Sequence, residues 1–151
     1  MSRFVSRWPA YARIPPFLPV PLRHRSDGWT AERQARFIGM LAQTGSVAAA
    51  ARSVGMSRMA AYRLRRAAAD GSSFAHSWDA VLALLGGSRP GEWKVTPEEM
   101  RDWAMEGPFH IVMRRGRLVS ARRKPNTSML LRCLRQANRL TGRVGPSGAG
   151  R

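Results

Sequence analysis

Arginine is the side chain through which this sequence could do chemistry. Its planar guanidinium can grip two acceptors on a guanine edge or two phosphate oxygens at once. The stretch Thr44 to Arg66, TGSVAAAARSVGMSRMAAYRLRR, gathers Ser57, Arg58, Met59, Tyr62, Arg63, Arg65 and Arg66 into one short segment. Residues near the start of a recognition helix reach base edges in the major groove, and later basic residues reach phosphate. Ser57, Arg58, Met59 and Tyr62 are therefore the candidate base-reading residues. A bidentate contact from Arg58 to guanine would give about 1–3 kcal/mol of discrimination. Arg63, Arg65 and Arg66 are candidate phosphate clamps, which position without specifying.

Two helices and a tight turn must hold these residues. Ser46 can cap a helix from Val47 to about Ser53 by accepting a free backbone N–H. Ala51 lies four residues before Gly55, where a small residue suits the close crossing of the next helix. Gly55 supplies a turn with φ > 0 at no steric cost. Ser57 caps again, and Val54, Met56, Ala61 and Leu64 fall beneath the second helix. An ordinary helical hairpin with solvated arginines has the same Ala-x-x-x-Gly-x-Ser spacing. The basic exposed face and a preceding amphipathic helix turn the reading toward a DNA-binding helix-turn-helix.

That preceding helix is expected over Ala31 to Thr44, capped by Thr30, with Glu32 at its positive end and Gly45 at its close. Phe37, Ile38 and Leu41 form its apolar stripe. After Asp70-Gly71, the residues Phe74, Trp78, Val81, Leu82 and Leu85 mark a fourth helix. Its stripe suits packing on the preceding helices better than a dimer seam. Residues 29–86 thus read as one DNA-binding domain. Upstream, residues 1–28 hold Pro9, Pro15, Pro16, Pro19 and Pro21 and read as an extended polyproline-like arm. Such an arm could track phosphate or enter a minor groove, or be a leader that binds nothing.

Residues 87–95 read as a linker. Thr96, Pro97 and Glu99 then make a strong helix start, with Thr96 and Glu99 as a capping box. Gly107-Pro108 ends that helix. Phe109–Arg114 and Arg117–Arg122 flank Arg115-Gly116 as a β-hairpin. A last helix is expected over about Asn126 to Thr141, with Met129, Leu130, Cys133, Leu134 and Ala137 on its apolar face. Arg122, Arg123, Lys124, Arg132, Arg135 and Arg139 are further phosphate-binding candidates. Residues 96–142 read as a helix, hairpin and helix forming a basic module, and residues 143–151 as a disordered tail.

Charge supports a polyanionic partner. The 151 residues carry 26 basic and 9 acidic side chains, a formal net charge of +17. Two basic blocks, residues 1–70 and 107–151, flank one acidic block, residues 71–106, which suggests two separate contacts. Arginine so outnumbers lysine, with only Lys94 and Lys124, that coding bias in a GC-rich genome is the simpler cause of that ratio. It does not account for the net charge. Cys133 is alone, which rules out an intrachain disulfide and a cysteine-based zinc site. A reducing, cytoplasmic setting alongside the nucleoid follows as an expectation. No apolar run approaches the roughly 20 residues needed to span a bilayer, and the prolines argue against a secretory signal.

Enzymatic chemistry finds little support. His24, His76 and His110 lack metal-ligand spacing. Glu98, Asp102 and Glu106 make one acidic helical stripe, better read as a solvated face or a partner for the C-terminal arginines than as a nuclease metal site. No phosphate-binding Gly loop or nucleophile–base pair stands out. No cofactor or small-molecule ligand is expected.

The run GWTAERQARFIGMLAQTGSVAAAARSVGMSRMAAYRLRR, followed by SFAHSWDAVL, resembles uncharacterised helix-turn-helix proteins of alphaproteobacteria. It is similar, more distantly, to the small-terminase-like DNA-binding proteins of phages and prophages. RRGRLVSARRK and NTSMLLRCLRQANRL look like the C-terminal portion of the same group. The resemblance implies double-stranded DNA binding. The expected fold is mainly α: a homeodomain-like helix-turn-helix unit of three to four helices, then a short helix, a β-hairpin and a C-terminal helix. Three roles fit. The first is a small, sequence-specific transcriptional regulator. The second is an oligomeric, terminase-like adaptor that marks DNA for packaging. The third is an RNA-binding protein using Arg122–Lys124 and the final helix, which ranks last because exposed stacking aromatics are not evident.

Overall fold

Each helix begins where a short polar side chain can accept an N–H of its own first turn. The computed structural model describes residues 8–23 and 27–142, so the tail 143–151 and the first seven residues of the expected arm lie outside the described residues. Six helices and a hairpin follow in order: α1 Ala31–Thr44, α2 Val47–Ser53, α3 Arg58–Ala67, α4 Ser73–Leu85, α5 Pro97–Met105, β1 Phe109–Arg114, β2 Arg117–Arg123 and α6 Thr127–Gly142. Thr30, Ser46, Ser57, Ser72 and Thr96 cap the first five helices, each accepting an N–H three residues on. Asn126 does the same for α6 through Met129 N at 3.0 Å. The fold is mainly helical with one antiparallel hairpin. Among the described residues, no helix is long and apolar enough to cross a membrane.

The apolar stripes meet in one core. Phe37, Ile38 and Leu41 of α1, Ala50 and Ala51 of α2, Ala61 and Leu64 of α3, and Phe74, Trp78 and Val81 of α4 are all buried together. The aromatic rings form a continuous chain through it. Phe109 lies 6.2 Å from Phe17, Phe17 lies 5.6 Å from Phe74, Phe74 lies 6.2 Å from Trp78, and Trp78 lies 5.0 Å from Phe37. Edge-to-face and tilted contacts of this kind add stabilisation beyond buried area.

After a turn closed by Ala12 N–H on Pro9 O at 3.0 Å, the proline-rich segment is extended from Arg13 onward, but the described part is not a free arm. Trp8, Ile14, Phe17, Leu18 and Val20 are buried. It is a strap, and alternation explains how it works: successive residues of an extended chain point to opposite sides. Phe17 enters the main core while Leu18 enters a second cluster with Trp103, Ala104 and Met129. Its backbone is satisfied by partners far along the chain. Phe17 and Phe109 exchange backbone bonds of 3.3 and 2.8 Å. Val20 N–H donates to Gln34 Oε1 at 2.7 Å, and Gln34 Nε2 donates back to Val20 O at 3.1 Å. Buried Gln34 thereby replaces a neighbouring strand. Leu18 N–H donates to Ser73 Oγ at 2.9 Å.

Nor does the hairpin form a module apart from helices α1 to α4. Phe109 and Ile111 belong to the main core, and Met113, Leu118 and Ala121 pack against it. Arg115 (φ 53°) and Gly116 (φ 75°) are both left-handed, which is the backbone a two-residue hairpin turn requires. Val112 opposes Ser120 and Met113 opposes Leu118, leaving Val119 as a bulge that sharpens the twist. Leu118 sits over Gly39 of α1, where a Cβ would lie 2.5 Å from its Cδ1. Its N–H donates to Gln43 Oε1 at 2.9 Å.

The capping box expected from Thr96 and Glu99 is only half realised. Thr96 Oγ1 accepts Glu99 N–H at 3.3 Å. The Glu99 carboxylate turns instead to α4, accepting Ser73 N–H at 3.1 and 3.2 Å and Ser73 Oγ–H at 3.2 Å. A carboxylate at a helix N-terminus is favourable, and here it ties α5, α4 and the strap together. The expected linker is likewise anchored at one end. Trp93 donates its Nε1–H to Gly71 O at 2.8 Å and packs between His76 and Trp103.

Candidate nucleic-acid interface

The outer face of α3 is built by what lies beneath it. Ala61 and Leu64 are buried against the core. Gly55 takes φ 75° between α2 and α3, and Met56 N–H returns to Ala51 O at 2.9 Å, closing the turn. Ala51 is fully buried at the crossing. Trp29 Nε1–H donates to Ala60 O at 3.1 Å, pinning the first turn of α3 to the entry of α1. Trp29 also packs on Phe37 at 5.4 Å.

On that base stand Ser57, Arg58, Met59, Tyr62, Arg63 and Arg66, all exposed. Ser57 Oγ is occupied as the cap, accepting Ala60 N–H at 3.0 Å. Met59 is 65% exposed, an open apolar side chain at the centre of the face. The Arg58 guanidinium sits 5.6 Å from the Tyr62 ring centroid, and Tyr62 lies 6.2 Å from Trp78. A cation over an aromatic face is held electrostatically, so Arg58 is directed by a ring that is itself braced on the core. Arg63 and Arg66 have no acidic partner among the described residues.

Two candidate phosphate clamps are engaged within the chain. Arg65 is half-buried and meets Asp79 of α4 through Nη2 at 2.8 Å and Nε at 3.4 Å. This fork locks α3 to α4. Arg123 meets Glu106 at 2.8 Å, donates to Gly107 O at 2.8 Å and lies 5.2 Å from the Phe109 ring. Part of each guanidinium is thereby committed within the chain, so both have a structural role whatever else they contact. The reason is sequence-distant: their acidic partners come from other helices. Arg122 and Lys124 stay exposed on the hairpin, and Arg132, Arg135 and Arg139 stay exposed on α6. The hairpin packs on α1 and α6 packs on α5, so these arginines are carried by elements other than those beneath α3.

Some contributors were not singled out by sequence reasoning. Trp29 and Gln34 carry no motif, and only their placement reveals that they set α3 and the strap. Arg114, Arg115 and Arg117 surround the hairpin turn and are exposed; the run Arg-Arg-Gly-Arg was legible as a turn but not as a basic tip. Two titrations are displaced. Burial pushes Glu99 upward, with the Ser73 bonds opposing and Asp102 and Glu98 adding to the rise. Burial lowers His76, against the pull of Asp79. Among the described residues, no group of three His, Cys, Asp or Glu side chains could hold a metal ion. Comparison of the chain with protein-family models, curated proteins and solved structures gives no match.

Proposed function

We propose that this protein binds double-stranded DNA through a homeodomain-like helix-turn-helix, with α3 in the major groove, and acts as a non-enzymatic sequence-specific regulator. The observation that carries the reading is the two-sidedness of α3. Its inner residues Ala61 and Leu64 are buried, while its outer face presents an aromatic-braced Arg58, open Met59 and unpaired Arg63 and Arg66. Arg58 stands in the first turn, where base edges are reached, and Arg66 in the last, where phosphate is reached. The net charge of +17 adds affinity for any duplex.

Selection from a random duplex pool with the full chain tests this. The full chain is required because the strap and hairpin complete the core over which α3 lies. A motif enriched by the native protein and blurred at one position by Arg58→Ala is the expected result. Enrichment of nothing, or of single strands or structured RNA, would overturn it. The adaptor role is favoured by one observation, an α6 that leaves Leu131, Leu134 and Leu140 exposed, as an assembling chain would.

A further inference from the structure

Most of this surface is basic, and one groove is not. It runs between α5, the strap and the end of α3, with a volume of about 510 Å³. Pro19, Pro21, Ala67 and Ala69 contribute open apolar surface to it, over buried Leu18, Val20 and Phe74, and Glu98, Glu99, Asp102 and Glu106 line it. Four of the nine acidic residues of the chain thus face one cavity. Glu99 is occupied by Ser73, and Glu106 neutralises Arg123, the basic residue that also lines the groove. Glu98 and Asp102 have no cationic partner among the described residues.

α6 carries the opposite character. It packs on α5 through Met129, Leu130 and Cys133, and none of its residues lines the groove. A second stripe runs along a different face. Leu131, Leu134, Arg135 and Arg139 recur at i, i+3, i+4 and i+8, the spacing of one helical side. Leu131 is 50% exposed and Leu134 52% exposed. The helix holds Arg132, Arg135 and Arg139 and no acidic residue. Pairing α6 with α6 would set two rows of arginine against each other. Pairing it with the groove sets leucines against an apolar floor and arginines against free carboxylates.

We propose that the second stripe of α6 docks into the acidic groove of a second copy, joining chains head to tail. The two surfaces lie on different parts of the molecule, so the contact is heterologous. Each added chain presents a fresh groove and a fresh helix, which gives a ring where the rotation closes and a filament where it does not. The contact reaches only the end of α3, at Ala67, and leaves the outer face of Arg58, Met59, Arg63 and Arg66 open.

Sedimentation velocity on the full chain, over a concentration series at low and high salt, reads the association directly. Oligomers that shrink as salt rises are expected, because the rim carboxylates are solvent-exposed. Two exposed double variants then define the surfaces. Glu98→Lys with Asp102→Lys spoils the groove, and Arg135→Ala with Arg139→Ala spoils the helix without making it complementary to the lysine groove; each alone should be monomeric, with circular dichroism confirming the fold. Mixed together, one intact groove meets one intact helix, and a one-to-one dimer that grows no further should form. A native chain that stays monomeric throughout would overturn the proposal. So would association that survives the groove variant, which would point to a seam between α6 helices instead, and so would a mixture that stays monomeric.

Discussion

α3 and α6 are both amphipathic helices with arginines along one side and small or branched apolar residues along the other. In α3 the apolar side is fully used: Ala61 and Leu64 lie in the core, and Arg65 is tied to Asp79. In α6 Met129, Leu130 and Cys133 find a partner, while Leu131, Leu134 and Leu140 face solvent. An amphipathic pattern therefore states that a helix has something to bury without stating whether the partner lies in the same chain. Local sequence sets the stripe; the rest of the fold decides what covers it.

The contrast can be broken most directly by truncating one leucine on each helix. Leu64→Ala should cost about 2–5 kcal/mol, because it empties a site in a packed core. Leu134→Ala, measured at salt high enough to keep chains apart, should stay within about 0.5 kcal/mol. Urea unfolding reads both, and equal losses would mean that α6 is covered within its own chain.

Arg58→Ala sharpens the other side of the comparison. Losing a guanine contact should remove about 1–3 kcal/mol of preference between cognate and mismatched duplex, with little change on random DNA. Competition binding checks this, and equal weakening on both duplexes would assign Arg58 to phosphate.

A smaller effect separates free from engaged arginines on α3. Arg66→Ala should flatten the log–log salt slope of duplex binding by about 0.9, the share of one neutralised phosphate. Arg65→Ala should leave that slope nearly unchanged and lower the thermal midpoint slightly, since it removes a partly exposed ion pair. A flattened slope for Arg65→Ala would mean that Arg65 reaches phosphate as well as Asp79.

The smallest effect concerns Glu99. Its folded pKa is raised, so the folded state holds its proton over a pH window where the unfolded chain has released it. That contribution to stability is present below the ordinary carboxylate range and is lost as pH rises through the raised value. Glu99→Gln should remove this dependence. The difference between the native and variant unfolding curves across mildly acidic pH is the measurement, and a constant difference would contradict it.

Much of this architecture was legible because it is local. Ser and Thr caps, Gly45 and Gly55, the stripe Phe37-Ile38-Leu41 and the Arg115-Gly116 turn all act within a few residues of themselves. What escaped depends on distant partners. Pro15, Pro16, Pro19 and Pro21 told of extended chain, while Pro9 opens a turn, and none told that Phe17 would lie between Phe74 and Phe109. Glu99 sits at the spacing of a capping box, yet the hydroxyl and N–H of Ser73 offered it a more buried use. Arg65 and Arg123 look like Arg63 and Arg122 in a run of basic residues, and only the positions of Asp79 and Glu106 distinguish them. The face of α3 that meets solvent followed from helical period alone.

The strap also orders events in time. A chain is synthesised from its N-terminus, so Phe17 and Leu18 leave the ribosome before the helices they pack against. Leu18 must wait 55 residues for Ser73, and Phe17 longer still for Phe109. Until β1 has emerged, these side chains have no complete place to go. The strap is thus made before the helices and seated after them, and the surface of the helical unit that it covers stays open to other apolar segments while they are made. Non-local contacts of this kind slow folding, and here the delay falls on the same residues that later hold the two clusters together.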